Sequence, residues 1–322
     1  MLKYSVIGTS WITKSFIEGA NLYEDLSLDG VYSRSFEKGS TFAKETGAKR
    51  VFTDFNDLAF SDTDLVYVAS PNVCHYEQCK NLLLNGKHII CEKPITITAN
   101  EFKELCNIAN ENNLVYFEAI MYMHTPLRQV LKDAVSKIGN VRSATIDFSQ
   151  LSSKYQALKN GELPNIFNPE MKTGALNDLG IYCVYPVIDL FGMPEKITPV
   201  QHFLHTGADG SGSAAFEYKD KLVTITYSKV GQSRSASQIM GDEGTVTIES
   251  ISKLDGISLF NNEGEEFLLN GETDKKYLMG NEAKSAIGFI VNRKETDNFL
   301  KECQLMNEKV LLCMEKMRVE NA

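Results

Sequence analysis

Three places in this chain combine residue types and spacing that can do chemistry. The first is Glu92-Lys93-Pro94, which closes a strand-like run from His88 to Cys91. Proline disfavours helical geometry in the residue before it, so Lys93 is held extended at the end of a strand. A partly buried lysine loses proton affinity, which makes it a candidate proton donor or acceptor near neutral pH. An ordinary strand-end lysine is the alternative for an isolated tripeptide of this kind. The second place is Gly174-Ala175-Leu176-Asn177-Asp178-Leu179-Gly180-Ile181-Tyr182. Asp178 and Tyr182 are four apart and share one face of a helix. An acid and a phenol so placed can orient a hydroxyl and relay its proton, or can simply satisfy each other.

The third place is the turn Gly8-Thr9-Ser10-Trp11-Ile12-Thr13, which follows a short apolar run from Tyr4. A dinucleotide-binding turn reads G-x-G-x-x-G/A, its glycines giving a tight turn, close approach to a diphosphate and close helix packing. Only Gly8 is kept. Ser10 is small and can donate its hydroxyl to a phosphate, and the helix N-terminus after it attracts anions whatever its side chains. The next strand-like run ends in Tyr32-Ser33-Arg34. An acid at this position reads a free ribose hydroxyl, whereas arginine suits a 2′-phosphate. Ser33 and Arg34, with Lys38 one turn on, therefore read as an NADP(H) clamp, and NAD(H) as the weaker choice. Ser70-Pro71-Asn72 closes a further strand-like run, where open parallel sheets bind ligands.

The elements that must position these residues alternate. Strand-like runs at Leu28 to Tyr32, Val51 to Phe55, Leu65 to Ser70, His88 to Cys91 and Leu114 to Ala119 are separated by helical patterns. The helical patterns fall at Trp11 to Tyr23, Phe36 to Thr46, His75 to Asn85 and Ala99 to Asn112. This predicts βαβ units and a doubly wound parallel sheet over residues 1–122. From 123 to 322 the pattern changes to a connecting helix at Pro126 to Lys137 and then β-prone segments joined by Gly, Asn and Asp turns. Helical stretches at Gly174 to Leu190 and Glu282 to Arg318 interrupt them, so the second domain is α+β with a mostly antiparallel sheet.

Composition narrows the classes. The 322 residues are 43% hydrophobic and 23% charged, which excludes a disordered chain. A formal charge of −9 disfavours a broad nucleic-acid surface. No run approaches the roughly 18 apolar residues of a membrane helix, and the apolar run after Met1 is too short for a leader. The seven cysteines form no CxxC pair and read as reduced thiols of a cytoplasmic protein. His202 and His205 lie close together without an acidic or thiol neighbour, so no metal is expected.

Taken together, Ala69-Ser70-Pro71-Asn72 with His75-Tyr76, and Gly86-Lys87-His88-Ile89-Ile90-Cys91-Glu92-Lys93-Pro94, resemble the glucose-fructose oxidoreductase/inositol dehydrogenase/rhizopine catabolism (Gfo/Idh/MocA) family. Glu118-Ala119 and the Gly174 to Tyr182 segment fall where that family has them. Ser33-Arg34 and Tyr182 make the chain most similar to its dimeric dihydrodiol dehydrogenase and NADP-dependent xylose dehydrogenase branch. The resemblance implies a Rossmann domain and a second domain whose large open sheet is used in dimers or larger homo-oligomers. It implies hydride exchange with a sugar, polyol or other small hydroxyl or carbonyl compound. Lys93 would contact the reacting oxygen and the nicotinamide ribose; Asp178 and Tyr182 would line the substrate site, with Tyr182 as acid/base. Ser70, Pro71, Asn72, His75, Glu92 and Glu118 would touch the cofactor. Ser10 and Thr13 depart from the glycine pattern, and Met121-Tyr122-Met123-His124 stands where this branch has Trp and Arg. Those departures keep a cofactor-binding regulator without turnover as the rival reading.

Overall fold

The computed structural model describes residues 1–319. They group into two compact units, Met1–His124 with Asp274–Glu308, and Thr125–Thr273 with the residues from Lys309 on. Where the sequence suggests one boundary after residue 122, the chain first crosses between His124 and Thr125, and Asp274–Glu308 groups with the first unit.

The first unit alternates throughout. Its order is β1 (Leu2–Ile7), α1 (Trp11–Ala20), β2 (Leu26–Tyr32), α2 (Phe36–Thr46), β3 (Arg50–Phe52), α3 (Phe55–Ala59), β4 (Leu65–Val68), α4 (Asn72–Leu84), β5 (His88–Glu92), α5 (Ala99–Glu111), β6 (Tyr116–Ala119) and α6 (Met121–His124). The strands form one parallel sheet in the order β3-β2-β1-β4-β5-β6. All four residues of β4 and all four of β6 are buried, as expected of strands covered on both faces. Strand order reverses between β1 and β4, the place where such sheets take their ligands.

Local signals set the helix ends. Gly47 closes α2 at φ +82°, a conformation that other residues reach only with strain. Thr98 and Glu101 form a reciprocal capping box at the start of α5. The third strand is shorter than the run from Val51 to Phe55 suggests. The Asp54 carboxylate accepts from the Asn56 N–H at 2.8 Å and starts α3 instead. A stack of Phe16 on Tyr67, with ring centroids 3.8 Å apart, fixes α1 against β4.

The second unit begins with α7 (Leu127–Val135), β7 (Val141–Ser149) and α8 (Tyr155–Lys159). The segment expected as one helix from Gly174 is a π-turn over Leu176–Gly180 that continues as α9 (Ile181–Phe191). Seven strands follow: β8 (Lys196–Phe203), β9 (Asp209–Glu217), β10 (Leu222–Ser228), β11 (Ser237–Gly241), β12 (Gly244–Ser250), β13 (Asp255–Asn261) and β14 (Glu266–Leu269). With β7 they make an eight-stranded sheet ordered β14-β13-β12-β11-β7-β10-β9-β8. Only the β7–β10 pairing is parallel. One face is apolar and buried through Ala144, Ile146, Val223, Ile225 and Val246, matching the period-two pattern of those strands. The edge strand β14 escapes that pattern because Phe267 and Leu268 are both exposed.

The chain ends in α10 (Lys275–Val291) and α11 (Arg293–Met317), two helices where the sequence reads as one from Glu282. The Asp274 carboxylate starts α10 by accepting from the Lys276 N–H at 2.8 Å. Among the described residues, no helix is long and apolar enough to cross a membrane.

Candidate active site

In the first unit, the turn between β1 and α1 has the shape of a diphosphate cradle. Gly8 sits at φ +103°, and a Cβ there would lie 2.6 Å from the Ala69 carbonyl oxygen. Only glycine meets both conditions. Ser10 caps α1 with extended backbone, yet its side chain makes no capping bond, and the first turn of α1 carries no acid. The first-turn N–H groups and the dipole of this ten-residue helix are thus left for an anion. Thr13, in place of the last glycine, is fully buried, and its hydroxyl lies 3.3 Å from that of Ser10. Its side chain fills the space against the sheet, so the turn stays closed without the glycine. Thr9 and Ile12 are half-buried, and Trp11 is 69% exposed.

At the end of β2, Ser33 ties its hydroxyl to the Ser35 carbonyl at 3.0 Å, while Arg34 and Lys38 extend into solvent. The Ser35 side chain accepts from the Lys38 N–H and starts α2. Two cations therefore stand at the rim where a ribose 2′-phosphate would be read. The residues present fit a phosphorylated dinucleotide.

Lys93 follows β5 directly and lies half-buried before a cis peptide to Pro94. Its surroundings are unusually well braced. His75 is fully buried, with Nδ1 2.9 Å from the Pro94 carbonyl oxygen and Nε2 2.9 Å from that of Ser70. Glu118 is 2% exposed and accepts from the Ile95 N–H at 2.7 Å and from Asn307 at 2.9 Å. The family resemblance counts both as cofactor contacts; in the structure both hydrogen-bond the Pro94–Ile95 peptide, His75 at its carbonyl oxygen and Glu118 at its N–H. Ser70, Pro71 and Asn72 are half-buried at the corresponding end of β4, where the Ser70 hydroxyl donates to Gln78 at 2.6 Å.

Glu92 accepts a hydrogen bond from the buried Tyr67 hydroxyl and another from the Lys93 N–H at 3.2 Å. Burial pushes its carboxyl above the ordinary range, against the opposing charge of Lys93. The tyrosine is pushed well above its usual value, first by burial and then by the Glu92 charge. Burial also lowers His75, favouring the neutral imidazole. Sequence reasoning missed the neighbours contributed by α10. Glu282 is 1% exposed, and its Oε2 has no hydrogen-bond partner among the described residues. Burial and then the charge of Glu92 push it well above the usual range, which favours the protonated form.

In the second unit, Asp178 lies in the π-turn and Tyr182 in the first turn of α9, both half-buried. Tyr182 packs edge-to-face on Phe148 of β7, with centroids 5.5 Å apart. Asp178 is ion-paired with Lys229, which follows β10 and is 7% exposed. The acid's charge is therefore met by a lysine that the helical spacing does not reveal. Asp209, the first residue of β9, accepts from the Leu176 N–H at 2.7 Å and holds the start of the π-turn. Neither Lys229 nor Asp209 has a sequence signal; each reaches the turn only through strand pairing.

Sheet order, strand-end lysine and glycine turn define a dinucleotide-binding oxidoreductase architecture, and comparison with known proteins agrees. Residues 2–120 match the profile described as "Oxidoreductase family, NAD-binding Rossmann fold", and residues 127–247 match the GFO/IDH/MocA C-terminal domain. The chain belongs to the GFO/IDH/MocA oxidoreductase family. It is 35% identical over 315 residues to scyllo-inositol 2-dehydrogenase (NADP(+)) of Bacillus subtilis, across 97% of this chain and 95% of that one. A trans-1,2-dihydrobenzene-1,2-diol dehydrogenase of Xenopus tropicalis is 27% identical over 257 residues, 77% of this chain and 75% of its own. A 3-ketoreductase from Actinomadura kijaniata shares the fold with a TM-score of 0.85 at 18% identity, over 98% of this chain and 96% of that one.

Proposed function

We propose that this protein is an NADP(H)-dependent oxidoreductase of a polyol, sugar or other small hydroxyl or carbonyl compound, with NAD(H) the weaker cofactor. The observation that carries the reading is the brace around Lys93, where half-buried Glu92 takes the lysine N–H and buried His75 and Glu118 hold the peptide that follows Pro94. The 35% identity to an NADP(+)-dependent inositol dehydrogenase supports the substrate class. When bound, the nicotinamide supplies or accepts the hydride. The chain's own residues do the rest. Backbone from Gly8 to Ile12 and the Ser10 hydroxyl hold the diphosphate, and Ser33, Arg34 and Lys38 take the 2′-phosphate. Ser70, Pro71 and Asn72 line the cofactor at the β4 end.

Lys93 and Tyr182 exchange the proton of the reacting hydroxyl, and Asp178, steadied by Lys229, orients that hydroxyl. Lys93→Met and Tyr182→Phe should each lower turnover by at least about a hundredfold, the lower range for lost acid–base catalysis. Steady-state rates with NADP+ and a panel of polyols test this; near-normal turnover in either variant removes its assigned role. A homodimer or larger homo-oligomer through the eight-stranded sheet belongs to the same reading. Exposed apolar side chains on its edge strands, Val200 at 68% and Leu268 at 58%, support it. So does a cytoplasmic location, since the seven cysteines are all free thiols.

A further inference from the structure

Lys275, the first residue of α10, places its ammonium 3.7 Å from the centre of the Trp11 ring, and Trp11 is the first residue of α1. The contact does not depend on chance surface meeting. Gly19 of α1 and Gly280 of α10 touch backbone to backbone, so that a Cβ on Gly19 would lie 2.6 Å from the Gly280 nitrogen. That close approach fixes the start of α10 relative to α1. The charge of Lys275 is also felt by Glu92 at the end of β5 and by Glu282. The ammonium therefore stands at the carboxyl edge of the parallel sheet, within reach of both the β1 turn and the β5 end. The β1–α1 turn itself contains no cationic side chain from Gly8 to Thr13.

We propose that Lys275 is a diphosphate-binding residue of the cofactor site, supplied to the β1–α1 turn by the returning C-terminal helix. The proposal rests on the cofactor reading above. Its chemistry is simple: a half-buried ammonium over the side chain of the first residue of α1 adds a full positive charge to the partial charge of the helix end. The aromatic face of Trp11 holds that charge against the first residue of α1. Arg34 and Lys38 serve the 2′-phosphate at the end of β2, so the two anionic ends of NADPH are read by different cations.

Isothermal titration calorimetry separates these roles. NADPH carries both the diphosphate and the 2′-phosphate, whereas adenosine 2′-monophosphate lacks the diphosphate. Lys275→Gln should weaken NADPH binding about tenfold or more, the range for a lost charge-assisted contact, and leave adenosine 2′-monophosphate unchanged. Lys275→Arg should retain most of the NADPH affinity, and Arg34→Gln should weaken both ligands. The loss caused by Lys275→Gln should shrink as salt rises. Unchanged NADPH affinity in Lys275→Gln, or equal weakening of both ligands, overturns the proposal. A wild-type protein that binds neither NADPH nor NADH overturns the cofactor reading itself and the proposal with it.

Discussion

Asp209→Asn offers a quantitative check on how the Asp178 segment is held. Asp209 Oδ2 accepts from the Leu176 N–H, and a Cβ on Gly174, itself at φ +104°, would lie 1.9 Å from Oδ1. The carboxyl is thus wedged against the start of the π-turn, and burial pushes it up from 3.8 to about 6, against the backbone bond from Leu176. That rise is about 2.2 units, and at ~1.36 kcal/mol per unit it corresponds to about 3 kcal/mol as an upper figure, since the side chain keeps some solvent contact. The folded protein holds this proton more tightly than the unfolded chain does. Its contribution to stability is therefore whole below pH 3.8 and is lost as the pH rises through about 6. Asparagine keeps an acceptor for the Leu176 N–H but does not titrate. Urea unfolding followed by circular dichroism should show the wild type losing up to about 3 kcal/mol between acid and neutral pH relative to Asp209→Asn. Parallel stability profiles for the two proteins would refute the reasoning.

Two further substitutions probe the same architecture. Gly8→Ala puts a Cβ against the Ala69 carbonyl in a conformation that L-residues avoid, at a cost of about 2 to 5 kcal/mol. Thermal unfolding and NADPH titration should both register it, and a protein of unchanged Tm and affinity contradicts the cradle. Lys229→Met removes the ammonium partner of Asp178, whose side chain is 28% exposed; the expected cost is about 1 to 3 kcal/mol, below the figure for a fully buried pair. In a double-mutant cycle with Asp178→Asn the two losses should be less than additive, and strict additivity means the pair is not coupled.

The parallel sheet is legible because every strand is short, apolar and followed by a helical period, and because glycine marks the stops at Gly47 and Gly86. Lys93, Asp178 and Tyr182 are legible as types at strand and helix ends. What holds them is not. Lys229 lies 51 residues beyond Asp178 and meets it through the end of β10. Lys275 and Glu282 come from the far end of the chain, where the pattern reads only as helix. The burial of Thr13, which closes the turn without a glycine, depends on how α1 lies on the sheet. His75 and Glu118 carry a family signal, but their hydrogen bonds to the Pro94–Ile95 peptide are visible only in the structure. The single helix expected from Glu282 begins earlier and breaks at Asn292, because Asp274 caps a new start that apolar periodicity does not register.

The central claim is hydride exchange between NADPH and a small hydroxyl or carbonyl compound, and isotope transfer tests it most directly. NADPH carrying deuterium on the transferring position of the nicotinamide would be incubated with the protein and polyol-derived ketones, including those of inositols, and the products weighed by mass spectrometry. The account predicts an alcohol product one deuterium heavier, formed faster than with equally labelled NADH. Saturable NADPH binding without label transfer to any of the ketones would contradict it and make the chain a cofactor-binding regulator.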